Sequence, residues 1–149
     1  MSFEQQFSFV STLAMMGWIV LIFLPRRWAW LNLISAYFIP IILSAIYSFL
    51  IARYFFSAEG GFDTLANVQQ LFTYPGAALA GWVHYLAFDL FIGGMIAKQA
   101  DELGLSRLIQ APILLLTFMF GPLGYLLFAT IKPAMLRCRV KDTNTSEGI

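Results

Sequence analysis

Four stretches of the chain are apolar on every side for about the length of a membrane crossing: about 7–24, 31–52, 77–97 and 109–131. Roughly 20 mostly apolar residues in a helix cover the ~30 Å of a bilayer's hydrocarbon. Each window ends at proline, glycine or a basic residue, here Pro25-Arg26-Arg27, Arg53, Lys98 and Lys132-Pro133, which are ordinary helix stops. Closed barrels need strands of about ten residues with alternating polarity, and no such alternation appears. The pattern therefore predicts an all-α fold, an integral membrane bundle of four transmembrane helices. The first window does not read as a signal peptide, because Glu4 is the only charge before it and no small-residue cleavage site follows.

The connections differ in kind. Pro25 to Trp30 is short, which makes the first two helices antiparallel neighbours, and Trp28 and Trp30 beside Arg26 and Arg27 have the look of an interfacial anchor. Lys98 to Leu108 is short and polar. Arg53 to Gly76 is long and broken at Gly60-Gly61. After that break Leu65, Val68 and Phe72 fall at helical spacing, with Asp63 placed to cap, so a short interfacial amphipathic helix is expected between helices 2 and 3. Residues 1–135 form one transmembrane domain in this reading, and 136–149 a polar C-terminal tail that frays beyond Val140.

Composition agrees. Of 149 residues, 60% are hydrophobic and 11% charged, against roughly 25% charged in soluble domains. A water-soluble chain of this size has too little interior to hide that much apolar surface. Nine basic against eight acidic residues give no electrostatic case for nucleic acid. Cys138, the single cysteine, excludes an intrachain disulfide and a zinc cluster. Its basic neighbours allow a palmitoyl chain, but an idle thiol is the simpler expectation. With four crossings, Arg53, Lys132, Arg137, Arg139 and Lys141 fall on one side of the membrane and Arg26, Arg27, Lys98 and Arg107 on the other. That split sets no orientation.

The third window holds the chemistry. Its GWVHYLAFDLFIGG run, Gly81 to Gly94, carries the only histidine, His84, and an aspartate, Asp89, near the centre. An aspartate there costs on the order of 2.5–3.5 kcal/mol to insert; such groups face the bundle interior, pair, and mark sites. Tyr85 lies one turn away on the same face. Ala77, Gly81, Gly93 and Ala97 extend that row with small residues that admit a neighbouring helix or a flat ligand. His84 is about 140° around the helix from Asp89, so the two would line one cavity from different corners at most. The plain alternative is that Asp89 is an interhelical strut and His84 satisfies a backbone carbonyl. Arg53, Ser44 and Thr117 are candidate partners for Asp89. One histidine rules out bis-histidine haem ligation, and no metal-ligand pattern, phosphate loop or nucleophile elbow appears. Pro40 and Pro122 fall mid-window and should bend helices 2 and 4. The second bend frees the Phe118 carbonyl beside a pocket of Phe118, Met119 and Phe120.

Two runs, Trp82 to Gly93 (WVHYLAFDLFIG) and Leu116 to Gly124 (LTFMFGPLG), together resemble the abscisic-acid-deficient-four-like membrane protein family, whose plant members are required to make neoxanthin from violaxanthin. The resemblance covers about Leu13 to Phe128. It implies a protein of carotenoid or xanthophyll metabolism that isomerises a lipid-soluble polyene by epoxide opening, a reaction needing neither redox cofactor nor metal. Asp89 would serve as acid and His84 as base. Trp82, Tyr85, Phe88, Thr117, Phe118 and Phe120 would hold the polyene. Partners implied are the lipid bilayer, a carotenoid or other isoprenoid ligand, and a second copy of the chain or a carotenoid-pathway enzyme. The lack of a chloroplast transit peptide points to a bacterial-type member, in an inner or photosynthetic membrane. Two other readings stand beside it, a non-enzymatic carotenoid-binding or assembly subunit and a proton-coupled small carrier with Asp89 titrating.

Overall fold

A computed structural model describes residues 1–24 and 29–146, with side chains at 1–24 and 30–136. Arg26, Arg27 and Trp28 lie outside the described residues, as does the side chain of Cys138. All regular structure among the described residues is helical. Helix α1 is Phe3–Phe23. It starts at a capping box in which the Ser2 hydroxyl accepts from the Gln5 amide and the Gln5 side chain accepts from the Ser2 amide. A second long helical run is built from α2 (Ala29–Leu33), a π turn at Ile34–Phe38 and α3 (Ile39–Tyr54). Short α4 (Leu65–Thr73) precedes α5 (Pro75–Glu102), which occupies the middle of the bundle. Helices α6 (Arg107–Phe120) and α7 (Pro122–Ser146) complete the chain.

Three runs are long and apolar enough to cross a membrane: Phe3–Phe23, Trp30–Ser57 and Pro75–Glu102. Their outward faces carry large apolar side chains, such as Phe49 at 67% and Phe23 at 74% exposure, which is unfavourable in water and favourable in lipid. Inside, Val10, Ala14, Trp18 and Leu21 of α1 and Leu43 and Leu50 of α3 pack on Val83, Ala87, Leu90 and Ala97 of α5. Small residues bring the backbones close. A Cβ on Gly93 would run into Trp18, and one on Gly94 into Ala36.

The bend expected at Pro40 is absorbed differently. Pro40 has no amide hydrogen and its ring crowds the preceding turn. The chain widens into the π turn just before it, and Ile39 N–H bonds back five residues to Ile34 O. Within this turn the buried Ser35 hydroxyl donates to the Gly17 carbonyl of α1, so the distortion also ties two spans together.

The expected fourth crossing is absent as a single helix. The apolar window 109–131 breaks at Gly121, and its halves fold back on each other. The stop expected at Lys132-Pro133 is passed as well, since Pro133 lies inside α7. A Cβ on Gly124 would strike the backbone and hydroxyl of Thr117, seven residues earlier; in one continuous helix those residues would be about 10 Å apart along the axis. Contacts with α5 give the direction of each arm. At the start of α6, Gln110 Nε2 donates to Asp101 Oδ1 at 2.8 Å. Near its end, the Phe118 carbonyl accepts from the Tyr85 hydroxyl at 3.1 Å. Gly121 lies against Asp89. Eleven residues on, Lys132 Nζ donates to Gln99 Oε1 at 2.6 Å. Helix α6 therefore climbs from the end of α5 to its middle, and α7 descends again. The backbone of α7 stays helical to Ser146, where a tail fraying beyond Val140 was expected.

Two turns set this geometry. Helix α5 ends at Gly104, whose φ of 73° suits a residue without Cβ. Leu105 N–H then bonds to Ala100 O and Gly104 N–H to Asp101 O, a Schellman arrangement that turns the chain sharply into α6. Arg107 next donates from Nη2 to the carbonyls of Leu24, at 2.7 Å, and Ile22, at 3.2 Å. It satisfies the open end of α1 and fixes the base of the hairpin there.

Candidate functional site

The tip of the α6–α7 hairpin meets the centre of α5, and the polar groups gather there. Asp89 is 6% exposed, and its Oδ2 has no hydrogen-bond partner. Gly121 packs so closely that a Cβ would occupy the space of the carboxyl group. Glycine is needed at this spot because a carboxyl fills the place of a side chain. Tyr85, one turn earlier, donates to the Phe118 carbonyl and neighbours Asp89 on the same face of α5. A tyrosine hydroxyl has one proton. With that proton directed at Phe118, its oxygen can accept one from the aspartic acid. Proline at position 122 leaves Phe118 O without the usual helical donor, and Tyr85 supplies the substitute. The freed carbonyl expected from the sequence is thus present and used.

Beside this cluster a groove of about 400 Å³ opens sideways between α1, α5 and α6. Ser11, Met15, Trp82, Tyr85, Phe118 and Met119 line it. Trp82 is held by its indole N–H, which donates to Ser11 Oγ at 3.0 Å, and its ring lies 5.4 Å from that of Tyr85. Phe118 in turn packs edge-on against Trp18, 5.5 Å away. The groove is apolar and aromatic except for the hydroxyls of Ser11 and Tyr85, and Asp89 is the next residue along the face of α5 that Tyr85 occupies.

Of the residues expected to form the site, Asp89, Tyr85, Trp82 and Phe118 come together here. Thr117 is fully buried and gives its hydroxyl proton to Ile113 O; it supports the turn against Gly124. Phe120 points outward at 58% exposure. His84 and Phe88 stand on another face of α5. The His84 ring stacks on Phe88 at 4.7 Å and lies 5.3 Å from Tyr47. It borders a separate cavity of about 260 Å³ under α4, with Phe55, Phe62 and Phe72 among its walls. Asp89 and His84 thus share no cavity. Of the three partners considered for Asp89, Arg53 lies over the Tyr54 ring at 5.4 Å. Ser44 borders a different cavity with Phe88, and Thr117 is engaged with its own helix. The row of small residues spirals too fast to face one partner: Gly81 meets Phe72 of α4, while Gly93 meets Trp18 of α1.

Three polar residues hold this architecture in ways that no sequence pattern assigned to them. Gln110 is 2% exposed and donates to Asp101 and to Leu105 O, with its Oε1 left without a partner. Arg107 and Ser35 tie helices together as described. Gln110 had a signal, since a glutamine amid Leu108, Ile109, Ile113 and Leu114 is as anomalous as Asp89. Ser35 had none, because serine is common in membrane helices.

The profile of the ABA DEFICIENT 4-like family matches residues 5–128, which takes in α1 through the first turns of α7. The chain belongs to the ABA DEFICIENT 4-like family. No curated protein and no solved structure matches it. The matched stretch contains the whole groove, Asp89 and the hairpin tip. Family membership and the three long apolar helices together describe a membrane protein compatible with carotenoid-related metabolism.

Proposed function

We propose that this protein isomerises a lipid-soluble polyene of the carotenoid class, opening an epoxide on its end ring within the membrane. The observation that carries the reading is the Asp89 carboxyl, buried at mid-span with an unpartnered oxygen, one turn along α5 from Tyr85 in the wall of an aromatic groove. Insertion of that group costs on the order of 2.5–3.5 kcal/mol, and Arg53, the one basic side chain considered for it, lies over the Tyr54 ring instead. Family membership is compatible with that substrate class, which rests on the resemblance drawn from the sequence.

The reaction conserves every atom. A proton reaches the epoxide oxygen, one C–O bond breaks and a hydroxyl remains. A proton then leaves the neighbouring polyene carbon, and its C–H electron pair becomes the new cumulated double bond. Because His84 borders a separate cavity under α4 while Asp89 lies against the hairpin tip at Gly121, we assign both transfers to Asp89. One carboxyl oxygen gives the proton, the carboxylate so formed takes the other, and the side chain ends as it began. Tyr85 holds the carboxyl in position. Trp82 and Phe118 form the walls along which the rigid polyene lies. His84 and Phe88, on the other face, contact a more distant part of the ligand or of the membrane.

The test is expression in a host that accumulates an epoxy-carotenoid, followed by extraction, chromatography and the absorption spectrum of the purified protein. The proposal expects a rearranged pigment with wild type and unchanged epoxide with Asp89→Asn. Bound pigment without rearrangement in either protein would favour the binding-subunit reading. Proton flux across sealed vesicles that depends on Asp89, with no pigment change, would favour the carrier. In this proposal the bundle is complete within one chain, with the hairpin in place of a fourth crossing.

A further inference from the structure

The hairpin changes which side of the membrane each part of the chain occupies. Call the near end of the bundle the one where α1 begins, where Phe3 meets Tyr54 and Tyr54 meets Tyr74. The far end is where Arg107 binds the last carbonyls of α1 and Gln110 binds Asp101. Helix α1 runs near to far, the Trp30–Ser57 run returns, and α5 runs near to far again. Helix α6, with 14 residues, rises only about 21 Å, too short for the ~30 Å of a bilayer's hydrocarbon. Its tip stops at Tyr85 and Asp89, the middle of α5. Helix α7 then returns to the far end, where Lys132 reaches Gln99.

We infer that α6–α7 is a re-entrant hairpin, that the chain crosses the membrane three times, and that the far end is the cytoplasmic face with the amino terminus on the opposite side. Non-helical backbone at membrane depth persists only where protein covers it. Here Asp89 covers Gly121, and Tyr85 takes the Phe118 carbonyl. The charge pattern is independent of that geometry and agrees with it. Four crossings split the basic residues almost evenly. The hairpin moves Lys132, Arg137, Arg139 and Lys141 to the side that already holds Lys98 and Arg107 and receives Arg26 and Arg27 from the α1–α2 connection. With Arg26 and Arg27 assigned by their place in the chain order, eight of the nine basic residues fall at the far end and Arg53 at the near end. Lysine and arginine near helix ends mark the cytoplasmic side, so an undecided orientation becomes a strongly biased one. The His84 cavity beneath α4 then opens toward the non-cytoplasmic leaflet. The cavity bordered by Asn32, Tyr37, Lys98 and Glu102 lies in the cytoplasmic leaflet.

The test places the two termini. In a Cys138→Ser chain, single cysteines are introduced by Ser2→Cys or Ser146→Cys. A membrane-impermeant maleimide is then applied to spheroplasts of a bacterial host before and after lysis. The inference expects Ser2→Cys to be modified in intact spheroplasts and Ser146→Cys only after lysis. Modification of both from the same side would restore four crossings and overturn it, as would the reverse order. A carboxy-terminal fluorescent protein that matures only in the cytoplasm supplies a second readout without cysteines. Bright full-length fusion in the membrane is expected, and dark full-length fusion would overturn the orientation. Neither readout involves pigment, so the result stands apart from the proposed activity.

Discussion

The two faces of α5 use the same kinds of residue to opposite ends. On one, Tyr85 and Asp89 are pressed against a broken helix, and a carboxyl oxygen is left without a partner. On the other, His84 and Phe88 stack on each other, more than half of Phe88 is exposed, and His84 borders a cavity of aromatic and aliphatic side chains. Both faces carry an ionisable group where apolar residues would insert more easily. Only one withholds that group from solvent while leaving it chemically unsatisfied. An ionisable residue in a membrane is thus a weak pointer to a site; its unsatisfied, enclosed state is the stronger one.

Substitutions can break this contrast. The largest effect is expected from Asp89→Asn, which keeps the shape and removes the transferable proton. Loss of a general acid–base group typically lowers a rate by about 10²–10⁴-fold, and pigment conversion should fall in that range while the protein stays folded in detergent. Conversion within tenfold of wild type would make Asp89 a strut. Gly121→Ala comes next, because its methyl group would take the place of the carboxyl. Overpacking of this kind costs about 1–3 kcal/mol, read as a lower midpoint of thermal unfolding in detergent and reduced conversion. Tyr85→Phe removes the bond to the Phe118 carbonyl and should cost about 0.5–1.5 kcal/mol; conversion should drop further than stability alone explains, since the carboxyl loses its guide. His84→Leu on the opposite face should leave conversion within a few-fold. A fall as deep as that of Asp89→Asn would refute the division of the two faces.

The smallest effect concerns the cap of α4. The Asn67 amide donates to both Asp63 oxygens, at 2.8 and 3.0 Å, and holds the Asp63 carboxyl below its ordinary value of 3.8. A group depressed on folding contributes above its unfolded pKa and loses that contribution as pH falls through the folded one. The α4 segment should therefore loosen only below about pH 3.8. Faster hydrogen exchange at Val68 and Gln69, diminished in contrast by Asn67→Ala, is the measurement.

The parts of this fold written in the sequence are those governed by length and hydropathy. Windows 7–24, 31–52 and 77–97 each fall on a helical run whose ends differ from them by one to five residues. The short helix before α5 was legible from Leu65, Val68 and Phe72. Its cap is Thr64, whose hydroxyl accepts from Asn67 N–H, with Asp63 holding the Asn67 side chain instead. Hydropathy has no direction, however. From 109 to 131 the residues are as apolar in a folded-back pair as in one crossing, and Gly121-Pro122 reads equally well as a kink. The reversal depends on Asp89 filling the space beside Gly121, a contact 32 positions apart in the chain that no local window contains. The site was half legible for the same reason. Asp89, Tyr85 and Trp82 share one helix and a recognisable spacing, whereas the separation of His84 from them depends on which neighbours flank α5.

The placement of Trp82 makes the groove self-reporting. Its indole is pinned by Ser11 and lies over Tyr85, at the wall where a ligand would rest. A conjugated polyene absorbs at longer wavelength than an indole and drains its excited state through space when the two lie close. In a chain whose other three tryptophans are replaced by phenylalanine, light emitted by this one side chain would therefore dim as the groove fills, giving an optical record of occupancy.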